Sequence, residues 1–298
     1  MFTADNFASL DVLGNVLMAA SAIGTMALGA TFVIATSGID LSVGTGMTLC
    51  AVMAGMYLSA DKWGLPVGVG LVLILLTGAL LGLVNGLNIS VLGIPPFIAT
   101  LAMMMVANGL ALVISEKSSI KIGSEFYYNI ANGKLFSIGK FELSNSALLF
   151  LAMTLLAAFL LGKTLLGRYA LAMGSNEEAT RLSGVNVRFW KTMVYVVAGV
   201  FTAVGAIIYS ARFGFAQPAE GLGLELQAIA AVVIGGTSLA GGRATIVGTF
   251  IGALLMNTLT TGLQMMGVAK EWQLVVIGIV ILMAVFADNV RRKRAAAV

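Results

Sequence analysis

Long uninterrupted apolar runs decide what this chain can fold into. Nine are present, at residues 12–36, 42–60, 65–87, 94–115, 146–166, 192–211, 225–241, 245–266 and 272–288. Most approach the ~20 residues that a helix needs to cross a hydrocarbon core of about 30 Å. Inside lipid every backbone N–H and C=O must be paired within the protein, so runs of this kind are expected to be helices. Composition agrees: 59% of the 298 residues are hydrophobic and 10% charged, against roughly 45–50% and about 25% in a soluble domain. The expectation is an all-α, polytopic transmembrane bundle of about nine spans, one domain over residues 1–298, with the lipid bilayer as solvent. The seventh run, ELQAIAAVVIGGTSLAG, is short and broken by Gly235 and Gly236, so a half-helix or re-entrant segment is expected there.

Charge sets the expected orientation. Lys163, Arg168, Arg181, Arg188 and Lys191 cluster after the fifth run, and basic loops favour the cytoplasm. Four runs later Arg291, Arg292, Lys293 and Arg294 follow the last run. They read as a cytoplasmic flank of a span and not as a nucleic-acid patch, so the C-terminus is expected in the cytoplasm and no nucleic-acid partner is expected. Residues 116–145 then fall outside, as a loop or surface helix. Counting backward puts the N-terminus outside, although MFTADNFASLD has no basic signal region. One N-terminal span is therefore expected to be absent from this chain.

Little supports catalysis. The sequence has no His and a single Cys, Cys50, which cannot form an intrachain disulfide. It has no paired carboxylates within a run, so no catalytic residue and no metal site is expected. A phosphate-binding loop needs Gly-x-x-x-x-Gly-Lys-Ser/Thr. Residues 162–164 read GKT, but Ala157 stands where the first Gly belongs. Proton or sodium coupling usually shows as ionisable residues inside spans. The nearest are Asp40, just before the second run, and Glu225, at the start of the seventh. Each reads first as a helix cap and second as a functional group.

Small and polar residues within the runs point to close packing. Gly78 with Gly82, and Gly248 with Gly252, have the four-residue spacing that lets helix backbones touch. GIPPF at 93–97 should mark the entry to the fourth run. The amides Asn15, Asn85, Asn108, Asn257 and Gln264 read individually as interhelical hydrogen bonds. As a set, Asn85, Asn108, Asn257 and Gln264 could line a path for a neutral, hydroxyl-rich solute.

The stretch GRYALAMGSNEEATRLSGVNVRFWKT, at 167–192, breaks the apolar pattern with four basic and two acidic residues. Ser175 with Glu178 three residues on fits a capping box, and Gly184 can end a helix in the left-handed conformation. Glu177 and Arg181 have the spacing of a favourable i,i+4 ion pair. The expected product is a short cytoplasmic helix over 175–184. Its apolar face (Ala179, Leu182, Val185) needs a partner surface, because so short a helix is marginal alone.

This stretch resembles the coupling-helix region of permease subunits of bacterial ATP-binding-cassette (ABC) importers for sugars, the family that includes ribose, xylose and autoinducer-2 permeases. ATSGIDLSVG at 35–44 and ELQAIAAVVIGGTSLAGGRATIVGTFIGAL at 225–254 are similar to that family's other two signatures, in the same order. The resemblance implies a BtuC-like ABC permease fold in the bacterial inner membrane, moving ribose or a related monosaccharide by alternating access. It implies a second permease copy or a paralogue, ABC ATPase subunits on the cytoplasmic side and an external solute-binding protein. ATP and magnesium would be bound by the ATPase, and this chain would hold no cofactor. Gly174, Asn176, Glu177, Glu178, Ala179, Arg181, Leu182 and Gly184 fall on the coupling motif and would meet the ATPase. Asp40, Ser42 and Glu225 fall on the other two signatures, in a capping or gating role. On residues alone, an ATP-independent facilitator or ion-coupled carrier for a small neutral solute also accounts for spans and amides, but it gives the capped helix no task. A membrane scaffold would need neither the Gly-rich spans nor the amides.

Overall fold

The computed structural model describes residues 10–138 and 141–296. In chain order the helices are α1 (Leu10–Ala35), α2 (Val43–Leu58), α3 (Val67–Ser90), α4 (Pro96–Ile114), α5 (Glu125–Asn132), α6 (Asn145–Lys163), α7 (Leu165–Ser175), α8 (Glu177–Leu182), α9 (Val187–Phe213), α10 (Leu224–Ile234), α11 (Ile246–Met265) and α12 (Lys270–Ala296). Short strands β1 (Ile120–Lys121) and β4 (Phe215–Ala216) pair antiparallel, as do β2 (Lys134–Ile138) and β3 (Phe141–Ser144). The segment 116–145 thus holds a surface helix, as expected, but also ribbons that its sequence did not announce.

Among the described residues, seven helices are long and apolar enough to cross a membrane: α1, α3, α4, α6, α9, α11 and α12. The other two apolar runs form shorter helices. α2 has 16 residues and α10 only 11. At ~1.5 Å per residue α10 is about 16 Å long, half a hydrocarbon core. It stops at Gly235, and Gly236 follows with φ +90°. The half-helix reading of the seventh run matches this geometry. α4 begins as GIPPF suggests, with Pro95 as N-cap and Pro96 in the first turn.

α9 serves as a ruler for the bundle. Its 27 residues span about 40 Å. At its N-terminal end Lys191 pairs with Glu177 of α8. At its C-terminal end the Asn132 amide of α5 donates to the carbonyls of Ala211 and Arg212, both at 3.1 Å. Tyr127 of α5 also hydrogen-bonds Ser210 at 2.8 Å. So α5 and α8 lie at opposite ends of the bundle. α1 runs between the same two ends. Gly14 packs against the backbone of Glu142 beside α5, while Ala35 accepts a hydrogen bond from Gly242 beside Gly174.

The spans are held together largely through glycine. A Cβ on Gly78, Gly82 or Gly86 of α3 would collide with Gly199, Tyr195 or Thr192 of α9 respectively. Gly248 and Gly252 of α11 meet Gly235 and Ala231 of α10 in the same way. Lipid gives apolar side chains no reason to leave it for another helix, so close backbone approach and dispersion must supply the association. α1 and α9 form the interior, and α3, α4, α11 and α12 turn most of their apolar surface outward. Leu76, Leu80, Leu155, Phe159, Leu255 and Phe286 are among the exposed large side chains. Around a bundle of membrane-length helices that surface is suited to lipid or to a further membrane helix.

Candidate functional site

Two features stand out against this apolar frame: a capped helix at one end, and a pair of broken helices in the interior.

α7 and α8 build the first. α7 buries Leu166, Ala170 and Met173 along one face, the three-to-four-residue spacing of a helix lying on the bundle. Its end is fixed by Gly174, where a Cβ would strike Ala35 O and Gly242 N. Ser175 is the last residue of α7, and Asn176 is the cap of α8: its Oδ1 accepts from Ala179 N at 2.9 Å. The capping-box register expected from Ser175 is therefore corrected by one residue, because α7 continues through Ser175 and leaves Asn176 as the first extended residue. The expected Glu177–Arg181 pair is corrected as well. Arg181 takes both carboxylate oxygens of Glu178 (Nη2 at 2.5 Å, Nε at 3.1 Å), which holds the Glu178 carboxyl below its ordinary range and the guanidinium above its own. Glu177 reaches across to Lys191 of α9 instead. Gly184, with φ +84°, closes the helix, and Gly184 N donates to Arg181 O at 3.1 Å.

Thr180 is the buried residue of α8, and its hydroxyl donates to Asn176 O at 2.8 Å. Ala179 is exposed, and Leu182 is 76% exposed. Among the described residues nothing covers Ala179 and Leu182 of this apolar face, whereas Val185 is half-buried. The face points away from the bundle at the end opposite α5.

The second feature is the junction of α2 and α10. Gly46 of α2 packs against Thr202, near the middle of α9, and Gly55 packs against Ile120 and Ala216 at the α5 end. α2 therefore begins at mid-depth and runs toward α5. α10 begins beside it, since a Cβ on Gly44 would meet Glu225 and Gly221, and runs the other way. The N-termini of two half-helices thus meet inside the bundle, each with free N–H groups and the positive end of its dipole.

Each N-terminus has its own carboxylate. Asp40 Oδ1 accepts from Ser42 N at 2.8 Å and Ser42 Oγ at 2.6 Å. Both Glu225 oxygens accept from Gly223 N at 3.1 Å. Both acids are buried, and these two helix ends are a physical reason for acids to sit there. Asn85 of α3 donates to Ser42 Oγ at 2.9 Å, which ties α3 to the α2 start, while its Oδ1 has no partner among the described residues. A cavity of about 10 Å³ lined by Asp40, Ser42, Gly78, Asn85 and Thr202 lies there. It is far too small for a sugar ring.

The remaining amides do not join this cluster. Asn257 Nδ2 turns back on Ala253 O of its own helix at 3.2 Å. Gln264 is exposed and Asn108 is half-buried. α11 packs on α1, α6 and α10, whereas α3 packs on α2, α4 and α9. Asn85 and Asn108 thus sit on one group of packed helices, α3 and α4, and Asn257 and Gln264 on another helix, α11. No group of three or more His, Cys, Asp or Glu able to hold a metal occurs among the described residues. Arg291, Arg292, Lys293 and Arg294 lie outside the residues whose side chains are described.

A glycine-packed bundle of membrane-length helices, interrupted by two half-helices and carrying an uncovered capped helix at one end, has the build of a polytopic membrane permease. Residues 12–285 match the family described as "Branched-chain amino acid transport system / permease component", and the chain belongs to that family. It is 42% identical to the ribose import permease protein of Escherichia coli (strain K12) over 95% of this chain and 87% of that protein. It is 43% identical to the ribose import permease protein of Bacillus subtilis (strain 168) over 92% and 84% of the two chains. Identity to the galactose/methyl galactoside import permease protein of Haemophilus influenzae is 34%, over 96% and 88%. No solved structure matches the chain.

Proposed function

We propose that this chain is the transmembrane permease subunit of an ABC importer that carries ribose or a related monosaccharide across the bacterial inner membrane by alternating access. Family membership and the relatives' names support sugar import. The uncovered face of α8, on a helix too short to stand alone, is the structural observation that carries the ATPase-driven reading.

The subunit pairs with a second permease copy or a paralogue, and the sugar path forms between the two. That accounts for the absence of a sugar-sized cavity at the α2–α10 junction. ABC ATPases dock on α8 through Ala179, Leu182 and the Glu178–Arg181 pair, and they bind the ATP and magnesium. A solute-binding protein meets the opposite end, where α5 lies. With α10 and the loop after it returning the chain to the α8 end, α11 and α12 place the C-terminus on the cytoplasmic side. This counts α2 and α10 as partial spans in a nine-helix, BtuC-like arrangement. Closure of the ATPases favours one access state and ligand delivery the other, so coupling resides in differential binding to the two states.

The test is to express the chain with its ATPase and binding protein, and to compare it with the Glu177→Ala/Arg181→Ala variant. That variant removes one partner from each ion pair that orders α8. It should insert normally yet lose ATPase co-purification and ribose uptake. Unchanged uptake and co-purification would sink the reading. The family description favours a second cargo, a branched-chain amino acid. Labelled leucine offered beside labelled ribose separates the two. Uptake that persists on ATP depletion and stops when ion gradients collapse would instead identify a carrier.

A further inference from the structure

Three distant stretches meet at Ser37: the end of α1, the end of α7 and the loop between α10 and α11. Ser37 Oγ lies 2.6 Å from Ala240 O and 3.1 Å from Gly174 O. Beside it Gly242 N donates to Ala35 O at 3.0 Å. Glycine makes the approach possible. A Cβ on Gly241 would strike Ser37 Oγ, and one on Gly242 would lie 3.1 Å from Ser175 Cα. Both glycines have positive φ, +78° and +72°.

Two facts single out Ser37 within this junction. A hydroxyl has one proton, so it can make one full hydrogen bond or share that proton between two acceptors. The shorter contact is to the α10–α11 loop and the longer one is to α7. Ser37 also holds φ +63°, in the left-handed region that residues with a Cβ seldom adopt. That conformation belongs to the cap that ends α1: Ser37 N donates to Ile34 O at 3.0 Å and Gly38 N to Val33 O at 3.2 Å, with Ser37 as the left-handed residue. The cap in turn holds the Ser37 hydroxyl between the two carbonyls.

The junction has a mechanical consequence. Gly174 is three residues before the start of α8. Three residues after Ser37 stands Asp40, which holds Ser42 and through it Asn85 of α3. Ala240 follows α10, the other half-helix of the interior pair. A displacement of α7 and α8 therefore reaches both half-helices through the same side chain. If Gly174 O withdraws, the Ser37 proton passes wholly to Ala240.

Building on the importer reading, we propose that Ser37 is the positioning residue that transmits movement of the α7–α8 segment to the α1–α2 turn and the α10–α11 loop. It touches neither sugar nor nucleotide.

The decisive variant is Ser37→Gly, which removes the hydroxyl and accommodates the positive φ. Ser37→Ala removes the hydroxyl and keeps the strain. The first readout is hydrogen exchange on the full complex with and without ATP. In the wild type, nucleotide should change protection at 174–184, at 35–44 and at 237–243. In Ser37→Gly the change at 174–184 should persist and the change at 35–44 should disappear. The second readout, in proteoliposomes with labelled ribose, is sugar moved per ATP hydrolysed, which should fall about fivefold or more with ATPase co-purification retained. Ser37→Ala should show the same loss of coupling at a lower melting temperature. Wild-type exchange at 35–44 in Ser37→Gly would overturn the proposal, and so would loss of ATPase binding in that variant, which would make Ser37 a docking residue. A wild-type complex with no bound ATPase would instead defeat the importer reading itself.

Discussion

Lys191, in the first turns of α9, is ion-paired with Glu177, the first residue of α8, and the lysine is the more buried partner, at 14% against 50% side-chain exposure. The pair fastens a six-residue helix to one that runs the length of the bundle. Exposed ion pairs contribute about 0.2–1 kcal/mol, so Lys191→Met should leave the melting temperature of the whole protein nearly unchanged. Its effect should be local. Amide exchange at 177–182 should rise, and ATPase binding should weaken. The exchange Glu177→Lys/Lys191→Glu should restore part of the loss, because the geometry serves either order of charge. A double-mutant cycle showing no coupling between the two positions would contradict this.

Gly78 and Gly199 face each other across α3 and α9, so that a Cβ on either would collide with the carbonyl of the other. Gly109, on α4, has open space around it. Gly78→Val should therefore cost at least the 1–3 kcal/mol typical of overpacking, read as a lower melting temperature and aggregation in detergent. Gly109→Ala should be neutral or stabilising by up to about 1 kcal/mol, since alanine is the better helix former. Equal tolerance of both changes would mean that α3 and α9 are not packed this closely.

These contrasts show which parts of the molecule can be read from the chain. Each apolar run is a local property, and among the described residues a helix stands at each run, seven of them of spanning length and two shorter. That α2 and α10 stop short of spanning length is a tertiary fact, set by the meeting of Gly44 with Gly221 and Glu225. Only Gly235 and Gly236 hinted at it. The α8 cap was legible to within one residue, because SNEEA offers two adjacent capping residues and the end of α7 chooses between them. Helical spacing pairs Glu177 with Arg181, whereas Lys191, fourteen residues away, takes it. Ser37 bears no mark of its junction in the sequence. Serine carries no signal for positive φ, and its two acceptors lie 137 and 203 residues distant in sequence.

The Asp40–Ser42–Asn85 chain predicts an unequal pair of alanine variants. Ser42 Oγ donates to Asp40 and accepts from Asn85. Ser42→Ala therefore strands a buried amide and removes one partner of a buried carboxylate, at about 1–3 kcal/mol per unsatisfied group. Asn85→Ala leaves Ser42 still bonded to Asp40 and removes an oxygen that already lacked a partner. Ser42→Ala should lower the melting temperature more. Adding Asn85→Leu to Ser42→Ala should recover part of the deficit, a coupling expected for residues in one network. Strict additivity would show that the two side chains do not share this bond.

The α8 caps separate two registers by experiment. Asn176 Oδ1 holds Ala179 N at 2.9 Å, and Ser175 belongs to the preceding helix. Replacing an N-cap by alanine costs about 0.5–2 kcal/mol, and an isolated helix of six residues has no reserve from which to supply it. Asn176→Ala should therefore melt α8 while the spans stay folded: expression and melting temperature hold, exchange at 177–182 rises, and ATPase binding falls. Gly184→Ala should act in the same direction, because φ +84° is strained for any residue with a Cβ, whereas Gly184→Asn should be tolerated better. Ser175→Ala is the control, and it should leave α8 intact. If Ser175→Ala melts α8 and Asn176→Ala does not, the helix begins one residue earlier, in the capping-box register.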